Sequence, residues 1–124
     1  MFSSVDVSVF LATTKRDACL NFFTKSLGLT LREENEYALV FDLKGVELRI
    51  SKVSTFVPMP FTVLDWQVVN IYETMDLLEN NKVRFEIFDK MEMDARCVWT
   101  SPDGTRIAWF KDPDGNILSI SQRP

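Results

Sequence analysis

The chain has 124 residues, of which 46% are hydrophobic, and it contains ten Phe and three Trp. That length suits one domain, and the apolar content is ample for a packed core, which excludes wholesale disorder. The balance of 14 Lys and Arg against 18 Asp and Glu gives a net charge of −4, the wrong sign for a protein that neutralises nucleic-acid phosphates. The absence of His excludes Ser-His-Asp and Cys-His triads and every His-ligated zinc or iron site.

Cysteine usage and the N-terminus predict a cytoplasmic location. Cys19 and Cys97 form no CxxC motif, which favours two small buried side chains over a redox or zinc site, although a single disulfide stays open. The first residues lack the basic region and apolar run of a signal peptide, and no stretch approaches the ~20 apolar residues of a membrane span. We therefore expect a soluble protein with no membrane partner.

In the first half, a strand is followed by a helix and then by more strands. Alternation over residues 5–11 predicts the strand, and an apolar stripe predicts a helix over residues 14–27. Thr14 and Asp17 resemble a capping box at its start, and Gly28 is placed to end it in the left-handed conformation. Three further strands are predicted at residues 29–33, 37–43 and 46–53.

The second half repeats this order after a break. Two prolines make residues 54–60 a candidate linker, because proline cannot donate to a strand ladder. Residues 61–68 are predicted as a strand, and a helix capped by Asn70, with Glu73 three residues later, is predicted to end near Asn80. Strand-like runs follow at residues 83–88, 96–100, 105–111 and 117–121. The chain is thus predicted to be α+β, with two βαβββ modules at about residues 4–53 and 61–122.

Two local sequences accompany this repeat, NFFTKSLGL at residues 21–29 and AWFKDPDGNIL at residues 108–118. Together with the paired βαβββ order, they resemble the vicinal oxygen chelate superfamily, which holds glyoxalase I, extradiol dioxygenases and bleomycin-resistance proteins. The resemblance covers essentially the whole chain and implies one domain of this type. The tandem modules would form a curved, mostly antiparallel sheet with the helices on its outside.

The resemblance also implies where a metal would be held. Metal-using members place four ligands on the strands, and these positions fall near Asp6, Glu47, Val63 and Ser119, with Phe10, Asp65 and Gln67 adjacent to the two first-strand positions. At most one or two ligands are left, whereas a divalent ion normally requires several. We therefore expect no cofactor and no metal site, and metal-dependent glyoxalase or dioxygenase activity is disfavoured.

Polar and aromatic side chains on the strands are the candidate site residues. Arg49 is placed to pair a ligand carboxylate or phosphate, and Glu47 to accept a hydrogen bond or act as a base, although a plain cross-strand ion pair is the commoner role. Tryptophans can line a pocket, although packing in the core or at an interface is favoured for each of them. The predicted ligand-binding set is Glu47, Arg49, Phe41, Phe10, Gln67, Trp99 and Trp109.

Three classes of function stay open from the sequence. The leading hypothesis is a binder of a small organic ligand, similar in plan to bleomycin-resistance proteins and without a metal site. The second is a lyase, isomerase or dioxygenase of this superfamily in which Glu47 is a base or a partial metal ligand. The third is an interaction or structural protein. In each case a homodimer is expected, because one pair of modules buries only part of its aromatic surface.

Overall fold

A computed structural model describes all residues 1–124. The chain divides into two compact units, Met1–Val57 and Pro58–Pro124. Each unit contains one four-stranded mixed sheet, and residues 53–61 carry no helix or strand. No helix in the chain combines the length and the apolar character needed to cross a bilayer.

The first unit has the predicted β-α-β-β-β order, preceded by a short 3₁₀ turn. Its elements are β1 (Ser8–Thr13), α1 (Arg16–Asn21), a π-helical continuation (Phe22–Ser26), β2 (Leu31–Glu34), β3 (Ala38–Leu43) and β4 (Val46–Lys52). The spatial order of the strands is β1-β4-β3-β2, and the pairing is parallel between β1 and β4 and antiparallel elsewhere.

The first helix begins two residues later than predicted. Its cap position is Lys15, whose side chain makes no capping hydrogen bond, so the predicted Thr14 capping box is wrong. The Thr13 hydroxyl accepts a hydrogen bond from the Lys15 amide at 3.0 Å and thereby ends the strand just before the helix. At the other end the prediction is confirmed, since Gly28 has φ of +74°, which glycine adopts without a steric penalty.

The core of the first unit lies between the helix and one face of the sheet. Phe23 is fully buried and contacts Phe41 on β3, with ring centroids 5.7 Å apart. Leu48 and Ile50, on the same face of β4, are also fully buried, as the alternation of that strand predicts. Cys19 is buried and forms no disulfide.

The second unit repeats the plan with a longer connection after its helix. Its elements are β5 (Thr62–Gln67), α2 (Ile71–Asn80), β6 (Trp99–Thr100), β7 (Arg106–Lys111) and β8 (Ile117–Gln122). The strand order is β5-β8-β7-β6, with β5 parallel to β8 and the other pairs antiparallel. Asn70 caps α2 as predicted, because its side chain accepts a hydrogen bond from the Glu73 amide at 3.2 Å.

Of two strands predicted in the second unit, one is absent from the structure and the other is much shorter. Residues 83–88 form no strand, and Phe85 makes only an isolated bridge to Phe110. Of residues 96–100, only the last two are a strand, paired with the beginning of β7. On the side of β7 that does not pair with β8, the segment around Phe85 and strand β6 each pair with a different part of β7. Each segment therefore forms only a few backbone pairs.

The core of the second unit lies on the helix side of its sheet. Ile71 and Met75 on α2 are fully buried, as are Ala108 and Phe110 on β7. Trp66 stacks on Phe110 with centroids 6.4 Å apart, which places this tryptophan on the core side. The opposite face of the sheet therefore carries Ile107 and Trp109, which alternate with the buried pair.

The β7–β8 turn is held by a buried carboxylate. Asp112 is 5% exposed and accepts hydrogen bonds from the amides of Asp114 at 3.0 Å and Asn116 at 2.9 Å. The Asn116 side chain donates a third bond at 2.7 Å. Gly115 lies between them with φ of +88°, where a Cβ would approach Pro58 to 3.2 Å. The predicted Asp-Pro-Asp-Gly-Asn hairpin is confirmed in this geometry.

A charged cluster in the first unit predicts a loss of stability in acid. Arg16 Nε and Lys52 Nζ each donate to Glu34 Oε2 at 2.8 Å, and these bonds lower the pKa of Glu34 from 4.5 to about 2. A carboxyl group whose pKa is depressed by folding stabilises the protein above its unfolded pKa and loses that contribution as the pH falls through the folded value. We expect the stability difference between wild type and Glu34→Gln, from urea unfolding, to shrink between pH 4.5 and about 2.

The matched control for this experiment is Glu36→Gln. Glu36 lies in the same turn region, is exposed and forms no ion pair, so its substitution is expected to leave the acid slope unchanged. The same acid slope in Glu34→Gln and wild type would contradict the prediction.

Candidate functional site

A cavity of about 360 Å³ opens on the face of the second sheet that is not covered by α2. That volume falls in the range of about 300–1,000 Å³ typical of small-molecule sites. Strands β5, β7 and β8, the β6–β7 turn and the residue that follows β8 by one position contribute to it. Its lining residues are Thr62, Asp65, Ser101, Asp103, Thr105, Ile107, Trp109, Ser119, Ser121 and Arg123.

The floor of the cavity is a carboxylate held by two serines. Ser119 Oγ donates to Asp65 Oδ1 at 2.6 Å, and Ser121 Oγ donates to Asp65 Oδ2 at 2.7 Å. Both serines are buried, at 2% and 4% exposure, whereas Asp65 is exposed to the cavity. The arrangement follows from the parallel register, which pairs Asp65 with Ser119 across β5 and β8. The two hydroxyls therefore fix the orientation of a solvent-facing carboxylate.

A second carboxylate, Asp103, lies in the β6–β7 turn at the rim. The Ser101 hydroxyl donates to it, and the Thr105 amide donates at 3.0 Å. These bonds, together with the nearby charge of Arg123, lower the pKa of Asp103 from 3.8 to about 2. Asp103 is thus partly balanced by a cation that lines the same cavity.

Trp109 forms one wall, and its position is fixed by both polar and aromatic contacts. Its indole Nε1 donates to the Thr62 hydroxyl at 2.8 Å, and its ring lies nearly perpendicular to that of Phe88, with centroids 5.5 Å apart. Thr62 and Trp109 also line a neighbouring, more apolar cleft of about 250 Å³, together with Pro60, Phe61, Phe88, Met91 and Ile117. The indole therefore separates a polar cavity from an apolar cleft.

In the first unit, the predicted site residues Glu47 and Arg49 contact each other. Arg49 Nη1 lies 3.6 Å from Glu47 Oε2, and the Ser8 hydroxyl donates to the same oxygen at 3.2 Å. Phe10 pairs with Arg49 across the parallel β1–β4 ladder and is 61% exposed. Glu47, Arg49 and Phe10 are thus brought to one sheet face. The two charged residues both lie on β4, so they pair along one strand and not across two strands as the commoner alternative had it.

The remaining predicted site residues separate into three environments. Phe41 is fully buried against Phe23, on the sheet face opposite Arg49, so its prediction as a ligand-binding residue is corrected to a core residue. Gln67 is exposed on β5, on the same face as Asp65. Trp99 lies 6.3 Å from Trp109 between ring centroids and lines a separate cavity, with residues 92–94, of about 390 Å³.

Most polar cavity residues escaped the sequence-based set. Ser119 was named only as a metal position that the resemblance implied, and Asp65 only as adjacent to one, whereas Ser121 and Arg123 were not named at all. A signal was available in β8, where Ser119 and Ser121 alternate with Leu118 and Ile120. That pattern predicts a polar face, but the partner of the serines lies 54 and 56 residues away in the chain and is set by strand register.

The residues at the implied metal positions do not fit a metal ion. No group of three or more His, Cys, Asp or Glu side chains in the chain is placed to hold one. Glu47 is engaged by Arg49 and Ser8, and Asp65 by two serine hydroxyls, which are weak ligands for divalent ions when neutral. The donor set thus disagrees with the site that the resemblance implies.

Comparison with known proteins gives matches among solved structures. No protein-family model and no curated protein matches the chain. A glyoxalase family protein from Enterococcus faecalis is 23% identical at a TM-score of 0.70, over 98% of this chain and 99% of that one. A glyoxalase/bleomycin resistance protein/dioxygenase from Nocardioides is 16% identical at a TM-score of 0.72, over 96% and 83%.

A third solved structure is TnmS3, an antibiotic binding protein from Streptomyces sp. CB03234. It is 18% identical at a TM-score of 0.74, over 100% of this chain and 99% of that one. At these identities the similarity concerns the fold. The chain therefore has the fold of the glyoxalase, bleomycin-resistance and dioxygenase proteins of the vicinal oxygen chelate superfamily.

Proposed function

We propose that the protein binds a small organic ligand in the cavity of its second unit. The observation that carries this proposal is the combination of an aromatic wall, Trp109, with an oriented polar floor, Asp65, in one cavity of about 360 Å³. Ligand sites typically combine apolar contact surface with convergent polar groups. Here Trp109 and Ile107 supply the apolar contact, and Asp65 with its two serines supplies the polar groups.

Two further observations support binding as the function. The structurally similar TnmS3 is described as an antibiotic binding protein, which shows that this fold can serve binding. In the first unit, Glu47 is engaged by Arg49 and Ser8, which favours binding over the alternative in which Glu47 is a base. The homodimer and the cytoplasmic location expected from the sequence stay predictions.

A thermal-shift screen with small aromatic and amphiphilic compounds tests the proposal. A ligand present at 100 times its dissociation constant is expected to stabilise the protein by ~2.7 kcal/mol. The affinity of each hit is then compared between wild type and Trp109→Leu. We expect a loss of about tenfold or more, because a central aromatic wall commonly contributes above ~1.4 kcal/mol to binding.

Trp66→Leu is the matched control. It removes the same side chain from the core side of the same sheet, where Trp66 stacks on Phe110, and it is expected to lower stability without changing affinity. If no compound stabilises the protein, or if hits bind Trp109→Leu as well as wild type, the proposed function is wrong.

A further inference from the structure

Asp65 is an anion that lines the cavity, and no cationic side chain forms an ion pair with it. Its two oxygens each accept one serine hydroxyl, and it takes part in no ion pair. An ionised carboxylate has about four acceptor positions, so roughly two stay available on the cavity side. Because Ser119 and Ser121 are buried and already oriented, a ligand would meet a carboxylate that needs no rearrangement.

The other charges of the cavity do not balance Asp65. Arg123 is the cation that lines the cavity, and its charge acts on Asp103 in the rim turn. With one Arg and two Asp, the cavity has a net charge of −1, and the whole chain has a net charge of −4. Both favour the approach of a positively charged molecule over a negatively charged one.

The surroundings of Asp65 indicate what else this molecule carries. Trp109 stands in the same cavity and offers a face on which an aromatic ring can stack or a cation can rest. Beyond its indole lies the apolar cleft formed by Phe61, Phe88, Met91 and Ile117. A ligand long enough to span both would contact the charged Asp65 at one end and the apolar cleft at the other, with Trp109 between them.

We propose that the ligand is an organic cation with an apolar body, whose ammonium or guanidinium group binds Asp65 and whose body packs on Trp109 and extends toward the apolar cleft. This inference rests on the proposed function and adds the charge class of the ligand. The competing arrangement is an anionic ligand on Arg123, which the test distinguishes by its order of affinities.

Three probes of nearly equal size test the charge class, namely phenethylamine, 2-phenylethanol and phenylacetate. Their dissociation constants are measured by NMR titration of the full chain, up to about 10 mM, the weak limit expected for ligands of this size. We expect phenethylamine to bind about tenfold more tightly than the alcohol, and the carboxylate to bind most weakly. In Asp65→Asn the amine is expected to fall to the affinity of the alcohol, which itself changes little.

Asp103→Asn is the matched control, since it removes the same charge from the same cavity at a position in the rim turn, where the carboxylate is held by Ser101 and Thr105 and lies near the charge of Arg123. It is expected to reduce the preference for the amine much less than Asp65→Asn does. Probes that bind in a Trp109-dependent way with equal affinities, or with phenylacetate tightest, overturn the charge inference and leave the proposed function intact. A failure of all three probes to bind, or binding that Trp109→Leu does not weaken, counts against both.

Discussion

Replacement of Phe41 by Ala is expected to lower the free energy of unfolding by about 3–5 kcal/mol, as for other buried Phe side chains. Phe41 is fully buried in the first unit, where its ring meets that of Phe23 at 5.7 Å between centroids. Its removal leaves a cavity between the helix and β3 that close-packed neighbours fill only in part. Urea unfolding monitored by far-UV circular dichroism measures the loss.

Phe10→Ala is the matched control for this prediction. Phe10 is on β1 in the same unit, but it is 61% exposed on the opposite sheet face, so its truncation is expected to change stability by no more than about 0.5 kcal/mol. The pair also tests the correction made to the sequence-based site. A Phe41→Ala variant that kept wild-type stability and lost ligand affinity would return Phe41 to the ligand-binding set.

Replacement of Asp112 by Ala is expected to cost about 2 kcal/mol or more of stability. The carboxylate satisfies two backbone amides of the β7–β8 turn and the side chain of Asn116, and a buried donor left without a partner costs ~1–3 kcal/mol. Burial raises the pKa of Asp112, so its charge is itself unfavourable there, and the net loss is smaller than three full bonds. Thermal and urea unfolding of the variant measure this loss.

Asp112→Asn distinguishes the hydrogen bonds from the charge. The amide oxygen can still accept from the backbone of the turn, and the neutral side chain avoids the burial of a charge. We therefore expect Asn at this position to be more stable than Ala. Equal losses for the two variants would show that the acceptor atoms of Asp112 do not hold the turn.

The sequence correctly predicted those helices and strands whose formation depends on residues close together in the chain. The α2 helix follows from its Asn70 cap and its apolar stripe, since both act within one or two helical turns. The β4 strand follows from strict alternation, which buries Leu48 and Ile50 and leaves Glu47 and Arg49 on the other face. The α1 cap and the short strands near residues 85 and 99 were predicted less well, because competing backbone partners decide them.

In the candidate site, too, local sequence predicts some features and tertiary packing decides the others. Alternation alone places Trp109 on one face with Ile107 and away from Phe110, but it does not tell which face a helix will cover. Phe41 was assigned to the site as an aromatic strand residue, and the assignment is wrong because β3 is buried without alternation from Ala38 to Phe41. Packing of α2 against β7 and β8 leaves Trp109 lining a cavity instead of the core.

By itself, the sequence determined the α+β class, the repeated βαβββ order, the Asp112–Asn116 hairpin and the exclusion of histidine chemistry, because these depend on composition and on contacts between near neighbours. The tertiary structure alone decided that Asp65 meets Ser119 and Ser121 in a cavity walled by Trp109. That meeting depends on the register of two parallel strands more than fifty residues apart, and a one-residue shift in it would turn every side chain to the other face.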